Sequence, residues 1–159
     1  MLRFHSYDIV FQEVPGEVTL AISISNCPNR CKGCHSPYLM EDKGKTLNED
    51  VLADLLEKYG NAVTCVCLMG GDANPGEVER LFAFLREATS KRIKTAWYSG
   101  RQRLPEQCSL QHFDYIKLGP YVESLGGLDS ATTNQRFYRI EGTAMVDVTI
   151  LHKRIKPAC

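Results

Sequence analysis

Three cysteines carry the first chemical signal of this chain. Cys27, Cys31 and Cys34 stand at C-x3-C-x2-C in the stretch CPNRCKGCH, with no fourth cysteine beside them. Thiolates are the usual ligands of iron–sulfur clusters, and four of them saturate a 4Fe–4S cubane. A loop of this length can fold three thiolates around one corner of a cluster, each binding its own iron. One iron then keeps an exchangeable position, by the logic that leaves an open site on catalytic zinc, and a small chelating molecule can dock there. Two other readings stay open on spacing alone. One is a zinc site using Cys27, Cys31, Cys34 and His35, although adjacent residues such as Cys34 and His35 rarely both reach one tetrahedral ion. The other is three free thiols with no metal.

Further candidates stand where apolar runs end. Gly70-Gly71-Asp72 follows AVTCVCLM. A glycine pair there lets the backbone approach a ligand closely, because no Cβ intervenes. Asp72 is either part of that site or a turn residue. Tyr98-Ser99-Gly100 and Leu118-Gly119-Pro120-Tyr121 close two more such runs. Cys65 and Cys67 fall two apart on a strand pattern, hence on one face, and core packing is the favoured reading. A second cluster from Cys65, Cys67, Cys108 and Cys159 is disfavoured, since no pair among them shows a metal-loop spacing. Trp97 reads as core or pocket wall, His112 and His152 as surface or satisfied core residues, and Lys117 as a salt-bridge lysine. The closing HKRIKPAC reads as a solvated basic end.

The elements that must position these residues follow from periodicity. EVTLAISIS alternates apolar and polar residues and predicts a strand. TLNEDVLADLLEKYG predicts a helix, with Thr46 and Glu49 as a capping box. AVTCVCLM predicts a strand buried on both faces. NPGEVERLFAFLREAT predicts a helix capped by Asn74, with Pro75 in its first turn. IKTAWY and FDYIKLG predict two more strands. TTNQRFYRIEG reads as a polar loop entering a strand at RFYRI, and AMVDVTI as a last strand. The N-terminal segment is expected only to turn at Pro15-Gly16. Strands alternating with helices predict α/β architecture with a parallel sheet and right-handed crossovers. A closed eightfold barrel takes roughly 250 residues. At 159 residues the expected fold is therefore a partial, open (β/α) barrel with a mostly parallel sheet, in one domain over residues 1–159. Chemistry in such folds gathers at the carboxyl ends of strands, where all four unusual loops fall.

Composition narrows the class. Nineteen basic and nineteen acidic residues give zero net charge, so no long-range field recruits nucleic acid or an anionic membrane. No apolar run is long enough to span a bilayer, and the N-terminus does not read as a secretory signal. Seven cysteines without an export signal favour metal or catalytic roles over disulfides, and the expected location is the cytoplasm.

CPNRCKGC, MGGD after a strand and TTNQR near the C-terminus together resemble the small radical S-adenosylmethionine (SAM) activases of anaerobic, class III ribonucleoside-triphosphate reductase. The likeness spans residues 17 to 140. It implies a radical-SAM type of barrel, and a 4Fe–4S cluster held by Cys27, Cys31 and Cys34 whose fourth iron binds the amino and carboxylate groups of SAM. One electron then cleaves the sulfonium to methionine and a 5′-deoxyadenosyl radical. That radical takes a hydrogen from the Cα of a glycine in the reductase large subunit and leaves a stored glycyl radical. By the same resemblance, Gly33, Cys34 and His35 lie beside the cofactor and Gly70, Gly71 and Asp72 line its methionine end. Ser99 reaches the ribose or carboxylate, and Asn134, Gln135 and Arg136 hold the rim or the partner. A one-electron donor such as flavodoxin or ferredoxin is implied too. The alternatives are an activase for another glycyl-radical enzyme such as pyruvate formate-lyase, and a non-catalytic iron–sulfur or zinc-binding module.

Overall fold

The nearly all-apolar run CVCLM becomes an inner strand of an eight-stranded sheet, as its lack of a polar face demands. The computed structural model describes residues 1–153. In chain order the strands are β1 (Leu2–Val10), β2 (Thr19–Ile24), β3 (Lys45–Leu47), β4 (Cys65–Met69), β5 (Lys94–Tyr98), β6 (Tyr115–Leu118), β7 (Arg136–Glu141) and β8 (Ala144–Asp147). Helix α1 (Glu49–Tyr59) precedes β4, and helix α2 (Pro75–Ala88) follows it. The spatial order of the strands is β3-β1-β2-β4-β5-β6-β7-β8.

Strand pairing overturns the expected partial, open (β/α) barrel of radical-SAM type with a mostly parallel sheet. Parallel pairing is confined to β2–β4, β4–β5 and β5–β6. The pairs β1–β2, β1–β3, β6–β7 and β7–β8 are antiparallel. The sheet is mixed, and among the described residues only α1 and α2 are α-helices beside its eight strands. The cause lies in the connections. A parallel neighbour needs a long crossover, usually helical, whereas a short turn returns the chain antiparallel. The β5–β6 crossover carries only a 3-10 turn at Leu110–His112. Strands β7 and β8 are joined through Gly142-Thr143, with Glu141 opposite Ala144, as a tight hairpin.

Both helices bury their apolar stripes on one face of the sheet. Leu52 and Leu55 of α1 and Val78, Leu81, Phe82 and Leu85 of α2 meet Leu20, Ile22, Val66, Leu68, Trp97 and Ile116 there. Burying a large apolar side chain contributes about 1.5–3 kcal/mol each, so this layer fixes the sheet. The opposite face carries Cys65, Cys67, Ala96 and Phe137, with Met69, Tyr98 and Tyr115 against them. Cys65 and Cys67 are fully buried, and burial pushes both thiols well above their ordinary range. Cys108 is half-buried, while Cys159 and the other residues of the basic tail beyond Lys153 lie outside the described residues.

Local details differ from the expectation in two places. Asn48, not Thr46, caps α1, its side chain accepting from the Val51 N–H at 2.9 Å, while Thr46 belongs to β3 opposite Arg3. The N-terminal segment forms the long strand β1. Asn74 caps α2 with Pro75 at the first position, as its sequence predicts. Among the described residues no helix is long and apolar enough to cross a membrane.

Candidate iron–sulfur site

Parallel register aligns the carboxyl ends of the central strands. Ser23 pairs with Met69, Met69 with Tyr98, and Tyr98 with Lys117. Register partners side by side in a sheet point to the same face. Met69, Tyr98 and Lys117 therefore form one row under the rim, and all three line a cavity of about 170 Å³. Ile24, Leu39 and Met40 add apolar wall.

The cysteine loop closes this cavity from above. It leaves β2 and coils through Asn26 (φ 61°), Arg30 (φ 46°) and Gly33 (φ 75°). The first two are conformations that residues with a Cβ adopt only at a cost. Backbone bonds brace the coil: Asn26 N donates to Glu41 O at 3.1 Å, Cys27 N to Leu39 O at 2.9 Å, and Cys34 N to Cys31 O at 3.2 Å. Cys27, Cys31 and Cys34 all line the cavity. Two of the sulfurs accept hydrogen bonds, Cys34 Sγ from Ser36 N at 3.4 Å and Cys27 Sγ from Asn29 Nδ2 at 3.7 Å. Such N–H···S contacts tune the electronics of thiolate-bound metals. Among the described residues no three His, Cys, Asp or Glu side chains converge tightly enough to hold one ion. A cubane makes a different demand, because each thiolate binds a separate iron. Three half-buried thiols bordering one hollow fit that donor geometry.

Asp72, 1% exposed, is the hub of the rim. Its Oδ1 accepts from Ser99 Oγ at 2.5 Å, and its Oδ2 accepts from Asn29 Nδ2 at 2.5 Å and Gly100 N at 2.8 Å. Arg101 Nη2 donates to its backbone carbonyl at 2.7 Å. One buried carboxylate thus ties the ends of β4 and β5 to the cysteine loop. Lys117 is 8% exposed, and its Nζ donates to Ser99 O at 3.1 Å and Gly119 O at 2.9 Å. It makes no salt bridge among the described residues, contrary to the role expected of it. Burial lowers its pKa to about 8, against the opposing pull of Asp72 and then of Cys31, Cys27 and Cys34.

The structure brings together Cys27, Cys31, Cys34, Gly70, Asp72, Ser99 and Gln135 around this cavity. Gln135 reaches it from the start of β7, with Nε2 donating to Gly119 O at 3.4 Å. The remaining candidates stand outside its wall. A Cβ on Gly33 would meet Glu123 Oε2 at 2.8 Å, so the glycine admits the loop that follows β6. His35 Nε2 lies 3.2 Å from Tyr121 OH. Gly71, at φ 95°, has its Cα against α2, where a Cβ would stand 2.6 Å from Val78 Cγ2. Asn134 and Arg136 border a separate hollow of about 220 Å³ beyond Gly119. The sequence pattern singles out neither Asn29 nor Arg101, and it marks Gly100 and Tyr121 only as members of loops that close apolar runs. An amide between two cysteines, and a glycine directly after Ser99, were the available signals.

No curated protein and no solved structure matches this chain. The family model described as "4Fe-4S single cluster domain" matches residues 14–125, which take in the cysteine loop, Asp72, Ser99 and Lys117. That match covers well over half of the 159 residues. The chain therefore belongs to the 4Fe-4S single cluster domain family and is an iron–sulfur protein.

Proposed function

We propose that this iron–sulfur protein is a radical-SAM activase that installs a glycyl radical on class III anaerobic ribonucleoside-triphosphate reductase. In this reading Cys27, Cys31 and Cys34 hold the cluster and one iron is left for SAM. The observation that supports it is the make-up of one cavity: three thiols share its lining with a buried ammonium, and its described lining residues include no fourth cysteine and no histidine. Cys27, Cys31 and Cys34 would hold the cluster, which, once reduced, would supply the one electron needed for reductive cleavage of SAM.

The chain's own residues bind and exclude. Lys117 spends two of its three N–H donors on Ser99 O and Gly119 O, leaving one for an incoming carboxylate. Ile24, Leu39, Met40 and Met69 keep the hollow apolar, which protects a reactive carbon radical from water. Gly70 and Ser99 line the hollow with their polar atoms bonded to Trp97, Tyr98, Asp72, Arg101 and Lys117, Gln135 lines it from the start of β7, and Asp72 acts by holding the loop. Gly33, His35 and Gly71 shape the surroundings. Asn134 and Arg136 are assigned to the reductase contact, and a flavodoxin or ferredoxin would deliver the electron.

Anaerobic reconstitution with iron and sulfide, followed by dithionite and SAM, tests this function. The expected product is 5′-deoxyadenosine, and addition of the reductase should give a glycyl radical visible by electron paramagnetic resonance. A fully loaded protein that leaves SAM intact refutes it. SAM cleavage with a radical only on pyruvate formate-lyase or another such enzyme reassigns the partner.

A further inference from the structure

Asn29 lies between Cys27 and Cys31 and has no part in the chemistry above. Its Nδ2 stands 2.5 Å from Asp72 Oδ2 and 3.7 Å from Cys27 Sγ. One amide nitrogen carries two protons, so both contacts can be served at once. The orientation is not arbitrary: an ionised carboxylate only accepts, so the nitrogen and not the oxygen of the amide must face Asp72. The acceptor is held rigidly, since Asp72 is 1% exposed and also receives Ser99 Oγ and Gly100 N.

A second observation comes from the facing strand end. A Cβ on Gly100 would stand 2.5 Å from Asn29 Nδ2 and 3.0 Å from its Cγ. The Asn29 amide therefore occupies the space that a side chain at residue 100 would fill. Backbone conformation supplies the third. Asn26 and Arg30, both left-handed without being glycine, bracket the segment that carries Cys27 and Asn29. Such conformations persist only where surrounding contacts hold them, and here the Asn29 amide adds to the backbone bonds of Asn26 and Cys27.

We propose that Asn29 is a positioning residue that locks the cysteine loop onto the β4–β5 rim before a cluster binds, and then donates a hydrogen bond to the Cys27 sulfur. The lock spares the loop the entropy of ordering when iron arrives. The N–H···S bond draws charge from the sulfur and raises the reduction potential of the cluster it ligates. The inference rests on Cys27 being a ligand and makes no use of SAM.

Two variants approach the lock from opposite sides. Asn29→Ala removes the amide, and Gly100→Ala pushes it away while leaving Asn29 in place. In the metal-free protein, amide hydrogen exchange over residues 27–34 should accelerate at least about tenfold in both, the factor set by losing one charge-assisted bond. Exchange in β4 should stay unchanged and report an intact fold. After reconstitution, the midpoint potential should fall in both variants relative to the wild type. Unchanged loop exchange in both variants, or an unchanged potential in either loaded one, overturns the proposal. Neither readout involves SAM, so failure here is distinguishable from failure of the activase function.

Discussion

Replacing Asp72 by asparagine tests whether the rim is held by one buried carboxylate. The native group accepts three hydrogen bonds, from Ser99 Oγ, Asn29 Nδ2 and Gly100 N. Asparagine keeps one oxygen, which can still face Asn29 and Gly100. Its new NH2 then meets Ser99 Oγ, which already accepts from Arg101 N at 3.0 Å. The serine proton must turn away, so one bond changes direction and the other two lose their charge. Bonds to charged groups contribute about 1.5–3 kcal/mol against about 1 for neutral pairs, so the three bonds, all neutral in the variant, lose about 1.5–6 kcal/mol together. Relief from burying a charge offsets part of this, and the net cost is about 2–3 kcal/mol. For a domain of this size that lowers the melting temperature by about 4–12 °C. The substitution also withdraws the largest favourable influence on the Lys117 ammonium, lowering its pKa further. Thermal unfolding of the metal-free protein, with iron content after reconstitution, reads both effects. A melting temperature within about 2 °C of wild type, together with full iron loading, would refute the hub assignment.

Cys31→Ser should abolish stable 4Fe–4S loading while leaving the circular dichroism spectrum intact, because the loop lies outside the sheet; a full cluster in that variant removes Cys31 from the ligand set. Gly71→Ala should cost about 2–4 kcal/mol, from a left-handed backbone plus overlap with Val78 Cγ2, and a urea denaturation midpoint equal to wild type contradicts it. Glu17 supplies a pH dependence. Burial raises its pKa, but hydrogen bonds from Lys94, Thr64 and Tyr115 outweigh this and leave it below 4.5. A carboxylate depressed in the folded state binds fewer protons there than when unfolded, so its stabilisation is present above pH 4.5 and is lost as pH falls through the folded value. Glu17→Gln should flatten the acid limb of a stability-versus-pH curve, and an unchanged limb counts against the network.

The central strands were legible because their apolar runs end in unusual loops, and the register of Met69, Tyr98 and Lys117 then fixes which residues meet. The flanks were not. In β1 the buried residues Leu2 and Phe4 keep a period of two, but the pairing with β2 shifts register between Phe4 and Ser6. That bulge moves the later apolar residues, Tyr7 and Ile9, to the opposite parity and hides the strand. Strand β3 is only Lys45–Leu47, too short for any periodicity. An antiparallel edge leaves no signature that distinguishes it from a parallel one in so few residues, so the alternation of helices and strands predicts more parallel pairing than the sheet contains. At the site, the cysteine spacing is local and readable. The Asn29–Asp72–Gly100 contact joins residues far apart in sequence, and the setting of Lys117 depends on two carbonyls that face it only after folding.

Trp97 is the single tryptophan, fully buried, and its Nε1 donates to Gly70 O at 2.8 Å. Gly70 is part of the lining beneath the cysteine loop. The molecule thus carries a built-in fluorophore one hydrogen bond away from that hollow, and ultraviolet emission can follow its filling and emptying in real time without any attached dye.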